Sequence, residues 1–162
     1  MEAGAAVVPP SGQHLTPSMS RLSPNAVNGK LSERLREAGI QPSAQRLAVA
    51  AYVLDTVDHP SADQVWAEVK LRLPMISRAT VYNTLNLFVG HGLLRQHLLA
   101  EGRVVFDPNT APHHHFVDDA TGAILDVPWE AVDVRRVDDL RGLDVREYQV
   151  VMRGRKRGRG PA

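Results

Sequence analysis

The 162-residue chain contains no cysteine, which excludes disulfides, thiolate metal sites and cysteine-ligated haem. Any metal site must then be built from imidazole and carboxylate, a donor set that suits Zn, Mn, Fe and Ni and disfavours soft thiophilic ions. No apolar run approaches about 18 residues and no signal peptide is recognisable, so a soluble, cytoplasmic protein is expected. The motifs of hydrolytic chemistry are missing as well. There is no His-Glu-x-x-His helix, no Gly-x-Ser-x-Gly turn and no nucleophile with a base partner, so no enzyme is expected. Net charge is nearly absent at +1, so any argument for nucleic acid must come from local arrangement.

That small net charge hides a segregation. Residues 30–97 carry 8 basic and 6 acidic side chains, residues 98–144 carry 4 and 10, and residues 145–162 carry 6 and 1. Two functional zones and a basic tail explain this better than one uniform surface. The acidic zone holds the run His113-His114-His115, as a cation site requires. In an extended segment alternate side chains share a face, so His113 and His115 point one way and His114 the other.

Hydrophobic residues make up 43% of the chain, enough for a packed core. Residues 1–28 are rich in Ala, Pro, Ser and Gly with no helical apolar period, and read as a disordered leader. Leu31, Leu35 and Ala38 then mark a short helix ended by Gly39. Ser43 caps a second helix with an expected core face of Leu47, Ala51, Leu54 and Val57. Ser61 and Gln64 form a capping box for a third, with Val65, Val69 and Leu73 inward and Pro74 as its stop. Ser77 opens a fourth, with Val81, Leu85 and Phe88 inward.

Two β-rich runs follow, Leu94–Ala100 and Arg103–Asp107, joined by Glu101-Gly102 as a hairpin. Helices followed by a hairpin read as a winged helix-turn-helix. Beyond it, strands are expected at 112–118, 123–127, within 131–137 and within 145–153. Their free edges would gain from pairing with a second copy. The fold class is therefore α+β: a winged-helix domain over 29–109, a small α/β dimerisation and sensing module over 110–153, and a basic tail over 154–162.

If Val81, Leu85 and Phe88 face inward, the side chains of Arg78, Thr80, Tyr82, Asn83 and Thr84 lie on the other arcs of helix 77–89. Such a set can bond phosphates and base edges, and the helix N-terminus at Ser77 adds backbone N–H groups for a phosphate. His91 reads as an exposed loop residue and His97, mid-strand in the wing, as structural. Trp66 and Trp129 read as packing residues, with Trp129 a candidate wall of a haem-sized pocket.

Several segments taken together resemble the ferric uptake regulator family. They are Pro42-Ser43-Ala44-Gln45-Arg46, the stretch from His59 through Pro60 and Ser61 to Val65, and the stretch from Ser77 to Leu85. Phe106-Asp107, His113-His114-His115-Phe116 and the segment from Thr121 to Asp126 complete the set. The resemblance covers roughly residues 30–127. Within the family, the triple histidine, the missing cysteines and the short basic end are most similar to the iron response regulator branch.

The resemblance implies a regulatory metal site between the two modules, held by His59, Asp107, His113, His115 and Asp126, and taking Fe, Mn or Zn. It implies DNA contact by Arg46 and Tyr82, a palindromic double-stranded operator and a homodimer. The Cys-x-x-Cys zinc site of many relatives is missing, because Asp118 and Thr121 stand at its first positions. A further family site would fall on His114 and Asp133 in altered form. Haem, if bound, would use His113, His114 and His115. The expected function is a DNA-binding regulator, mainly a repressor, of iron and haem homeostasis genes. The alternative is a regulator of the same family sensing Mn, Zn or peroxide through the same His/Asp site.

Overall fold

The computed structural model describes residues 24–100, 102–137 and 139–157, with the side chains of 24–27 and of residue 100 left aside. Four helices, α1 (Pro24–Glu37), α2 (Ala44–Val53), α3 (Ala62–Arg72) and α4 (Arg78–Gly90), precede the hairpin β1 (Arg95–Ala100) and β2 (Arg103–Asp107). Strands β3 (His113–Asp118), β4 (Ile124–Pro128) and β5 (Val151–Gly154) form a second sheet in the order β4-β3-β5. The class is α+β, as read from the sequence. No helix among the described residues is long and apolar enough to cross a membrane.

Two glycines end helices in the same way. Gly39 (φ +76°) lets its N–H reach Arg36 and the Ile40 N–H reach Leu35. Gly92 (φ +72°) does the same toward Val89, with Leu93 reaching Phe88. In both, the residue after the glycine folds back onto the last turn, which satisfies carbonyls the helix leaves open. His91 is exposed as expected, but its Nδ1 lies 2.7 Å from the Ala38 oxygen and ties the ends of α4 and α1 together.

Three boundaries differ from expectation. Helix α1 starts at Pro24, inside the leader assigned to 1–28; residues 1–23 lie outside the described residues. The apolar period begins only at Leu31, whereas a proline is well suited to a helix's first turn without contributing to that period. The inner face of α2 is Val49, Ala50 and Val53, continued by Leu54; Leu47 and Ala51 are half-buried and Val57 is 89% exposed. The helix ends at Val53, so the four-residue spacing no longer applies at Val57. No strand forms within 131–137 among the described residues: the half-buried Val132 and Val134 pair with no strand, although β4 and β5 are each paired on one side only. The helical element there is a 3-10 turn, Trp129–Ala131. Of the expected tail, Gly154 belongs to β5 and residues 158–162 lie outside the described residues.

One apolar core unites the helices with the hairpin: Leu35, Val49, Val53, Val65, Val81, Leu85 and Phe88 are fully sealed and Phe106 is nearly so. A smaller cluster of Leu99, Val105, Val117 and Ile124 packs the hairpin against the second sheet. The Arg153 guanidinium donates to the Leu99 carbonyl, and Arg95 pairs with Glu147, so the wing is also held by polar contacts.

The Ser61–Gln64 capping box forms in both directions: Gln64 N–H donates to Ser61 Oγ, and Ser61 N–H donates to Gln64 Oε1 at 2.8 Å. Ser61→Ala should therefore cost about 1 kcal/mol of stability. Urea unfolding with an unchanged midpoint would show that the cap contributes nothing.

Candidate metal centre

The donor side chains are brought together by ordinary backbone pairing. The Phe106 N–H donates to the Pro60 carbonyl at 3.0 Å, which sets the end of β2 beside the linker before α3. Asp107 thus meets His59. In the second sheet, His115 pairs directly with Asp126 across β3 and β4, and His113 with Pro128. The turn between these strands is held by Asp118, whose carboxylate accepts from the Ala120 N–H and the Thr121 hydroxyl. Those two bonds also keep the Asp118 pKa below the usual carboxylate range.

One donor atom from each of His59, Asp107, His113, His115 and Asp126 lies within 4.8 Å of all the others. All but Asp126 are buried. Asp107 Oδ2 is 2.9 Å from His113 Nε2, 3.5 Å from His115 Nε2 and 3.6 Å from His59 Nε2. Asp126 Oδ1 is 2.9 Å from His59 Nε2, while Asn109 clamps both acids, its N–H on Asp107 Oδ1 and its side-chain amide on Asp126 Oδ2. The Nε2 atoms of His113 and His115 stand 2.9 Å apart.

Close approach has not produced hydrogen bonds throughout. Both ring nitrogens of His59, Nδ1 of His115 and Oδ2 of Asp107 are buried without a partner. Each such group costs about 1–3 kcal/mol if left so. Of these, His59 Nε2 and Asp107 Oδ2 face the space shared by the five donors, and unpartnered donor atoms crowded together are the arrangement a cation resolves. Three imidazoles and two carboxylates suit a five- or six-coordinate Fe, Mn or Zn ion, so the residues fit the group.

The electrostatics agree. Burial opposes ionisation of Asp107, but the imidazoles of His115, His59 and His97 and the Asn109 N–H outweigh it and hold the pKa far below the usual carboxylate range. Burial pulls His59 down, yet Asp107 and Asp126 together raise it above the ordinary imidazole value. His115 is lowered by burial first and then by its neighbouring imidazoles, so it favours the neutral form that ligates.

A model of the ferric uptake regulator family matches residues 37–153. The chain belongs to this family. Its members are metal-sensing transcriptional regulators that bind DNA as dimers. The chain is 30% identical over 122 residues to the peroxide-responsive repressor PerR of Staphylococcus aureus, covering 74% of this chain and 82% of that one. It is 32% identical over 99 residues to the PerR of Staphylococcus epidermidis, spanning 61% of this chain and 66% of that relative. The manganese-containing ferric uptake regulator of Pseudomonas aeruginosa superposes with a TM-score of 0.61 at 24% identity, over 78% of this chain and 98% of that one. The peroxide stress regulator of Campylobacter jejuni gives 0.59 at 24%, over 82% and 97%. These two likenesses show the fold: a winged helix followed by a small sheet.

On this family scaffold the candidate DNA residues are placed unevenly. Tyr82, 42% exposed, and Asn83 project outward. Arg46 donates to the Gln41 carbonyl at 2.6 Å and lines one cleft with Thr80 and Asn83. Ser77 and Thr80 are engaged with each other, hydroxyl to hydroxyl at 2.8 Å, in capping α4. Arg78 pairs with Asp63 at 3.2 Å and lies over the Trp66 ring. Thr84 was expected outward but is buried, its hydroxyl donating to the Thr80 carbonyl. It sits three residues after Val81 and beside Leu85, which puts it on the core arc.

The histidine run splits as alternation requires. His114 turns away, fully buried, stacks on Trp129 and accepts the Val150 N–H on Nδ1. Asp133 is exposed, pairs with Arg135 and stands outside the donor cluster. His97, read from the sequence as structural, lies beside Asp107 with its Nε2 3.5 Å from Oδ2, outside the five-residue donor group. Its register was the available signal, because Asp107 pairs with Arg95, two residues from His97 on the same face.

Proposed function

We propose that the chain is a homodimeric DNA-binding repressor of iron and haem homeostasis genes, with a divalent Fe or Mn ion at His59, Asp107, His113, His115 and Asp126 as its signal. The observation that carries this reading is the origin of the donors. His59 and Asp107 belong to the DNA reader, immediately before α3 and at the end of the wing; His113, His115 and Asp126 belong to the sheet. A bound cation supplies the positive charge that lets two carboxylates and three lone pairs share one buried point. His59 and Asp107 then fix the reader to the sheet, and two readers in a dimer are held at one spacing for a palindromic operator.

Haem is a second, opposing signal in this reading. A cleft of about 640 Å³ beside the centre is lined by His113, Trp129 and Tyr148 together with Arg95 and Arg146. It offers aromatic walls to a flat ligand, and its two arginines share the lining with Glu130 and Glu147, the latter paired with Arg95. His113 Nε2 faces the metal centre, so axial ligation would withdraw it from the cluster; His114 and His115 are the other candidate axial ligands.

The test uses the full chain and an operator selected from random-sequence DNA, with affinity read by anisotropy in apo, Mn2+, Fe2+ and haem-loaded forms. Mn2+ or Fe2+ should tighten binding roughly 5- to 150-fold, and the operator should tighten metal binding by the same factor. Haem should weaken DNA binding, with a Soret titration that shifts when operator is present. Equal DNA affinity with and without metal would overturn the reading. Release of the Fe2+ form by peroxide, with haem inert, would favour the signal named for the staphylococcal relatives.

A further inference from the structure

We propose that His97 is a sixth donor to this centre, which makes the wing's first strand part of the sensor. The proposal rests on the cation site described above. Four imidazoles surround Asp107 Oδ2: His113 at 2.9 Å, His97 and His115 at 3.5 Å, and His59 at 3.6 Å. One carboxylate oxygen has about two lone-pair directions, so it cannot accept from all four. The His97 side chain is 9% exposed, and its Nε2 is buried without a hydrogen-bond partner. Its ring meets that of His115 edge-on, with centroids 4.8 Å apart. His97 Nε2 therefore stands at the same distance from Asp107 Oδ2 as His115 Nε2 does, and of the two it is the one left without a partner, at the margin of the five-residue group.

Four imidazole nitrogens and two carboxylate oxygens make six donors, the number that a six-coordinate Fe or Mn ion takes. The consequence is mechanical. His97 and Asp107 lie on paired strands of the hairpin, so ligation by both grips the wing from two strands, where the five-residue set grips it through β2 alone. Wing position would then follow metal occupancy directly.

The test takes Co2+ as the probe, in the full chain. Six-coordinate Co2+ has weak visible bands and five-coordinate Co2+ stronger ones. Wild type should show the weak spectrum at one ion per chain. His97→Ala should strengthen the bands and reduce Co2+ affinity by roughly tenfold or more. Because that substitution could loosen the hairpin, a measurement on unmutated protein accompanies it. With an NMR-active cadmium isotope bound, through-bond coupling to the metal should appear at the ring nitrogen of His97 as well as of His59, His113 and His115. Coupling at the other three but not at His97, or a His97→Ala spectrum identical to wild type, overturns the sixth donor and leaves the five-residue site standing. A lower affinity with an unchanged spectrum does the same and makes His97 a positioning residue for Asp107. Absence of stoichiometric Co2+ binding by wild type would overturn both.

Discussion

Asp107→Asn should lower the Mn2+ affinity of the full chain by roughly 30- to 150-fold, the effect of losing about 2–3 kcal/mol from one of five donors when zinc-peptide binding totals about 10–16 kcal/mol. The substitution keeps the shape and one carbonyl oxygen but removes the negative charge. Asp107 is the group on which the imidazoles converge, with Oδ2 within 3.6 Å of four of them. The Asn109 N–H holds its other oxygen at 2.7 Å, so the carboxylate cannot swing away, and an amide put there would aim an oxygen or an NH2 group at the same point. The fold should tolerate the change, because the core around Phe106 and Phe88 lies on the helical side of the wing. The measurement is a competition titration against a chelator, with circular dichroism as the control. Wild-type affinity in Asp107→Asn would remove Asp107 from the donor set.

What the sequence revealed about this site divides by range. The face shared by His113 and His115, the box at Ser61 and Gln64 and the stop at Gly39 are local, each decided by the chain's own period or by an unpaired backbone group within a few residues. The sequence's own pattern put His59, Asp107 and Asp126 nowhere in particular. They were expected together through family resemblance, and the structure shows the physical links: the Phe106–Pro60 bond for the first pair and the β3–β4 register for the third. The nearness of His97 to Asp107 was not legible, because a histidine inside an amphipathic strand looks the same whether its inward neighbour is a leucine or a carboxylate. The α2 face and the missing strand at 131–137 were misread for a related reason. Apolar spacing reports which residues would be buried together in a regular element, and it cannot report where the element ends or whether a segment joins the edge of a sheet.

Helix α4 carries the second large effect, and its two faces should separate. Phe88 is fully buried, the largest side chain so sealed among the described residues, and joins the core that unites the helices with the hairpin. Phe88→Ala should cost about 3–5 kcal/mol, through lost burial and the cavity left behind. That is a large share of the roughly 5–15 kcal/mol that holds a domain folded, so the denaturant midpoint should fall steeply, with operator binding lost in step with unfolding. Tyr82 lies six residues earlier on the outer face, 42% exposed, with its neighbour Asn83 also turned outward. Tyr82→Ala should change stability by less than about 0.5 kcal/mol. It should nevertheless weaken specific operator binding by about 1–3 kcal/mol, roughly 5- to 150-fold, and nonspecific binding much less. Arg46→Ala, if Arg46 meets a phosphate, should weaken both and flatten the salt dependence. Urea unfolding and anisotropy with operator and unrelated DNA, run on the same preparations, distinguish these outcomes. Wild-type operator affinity in Tyr82→Ala and Arg46→Ala would mean that α4 does not read DNA with this face, while a wild-type midpoint in Phe88→Ala would mean that its core is not packed as described.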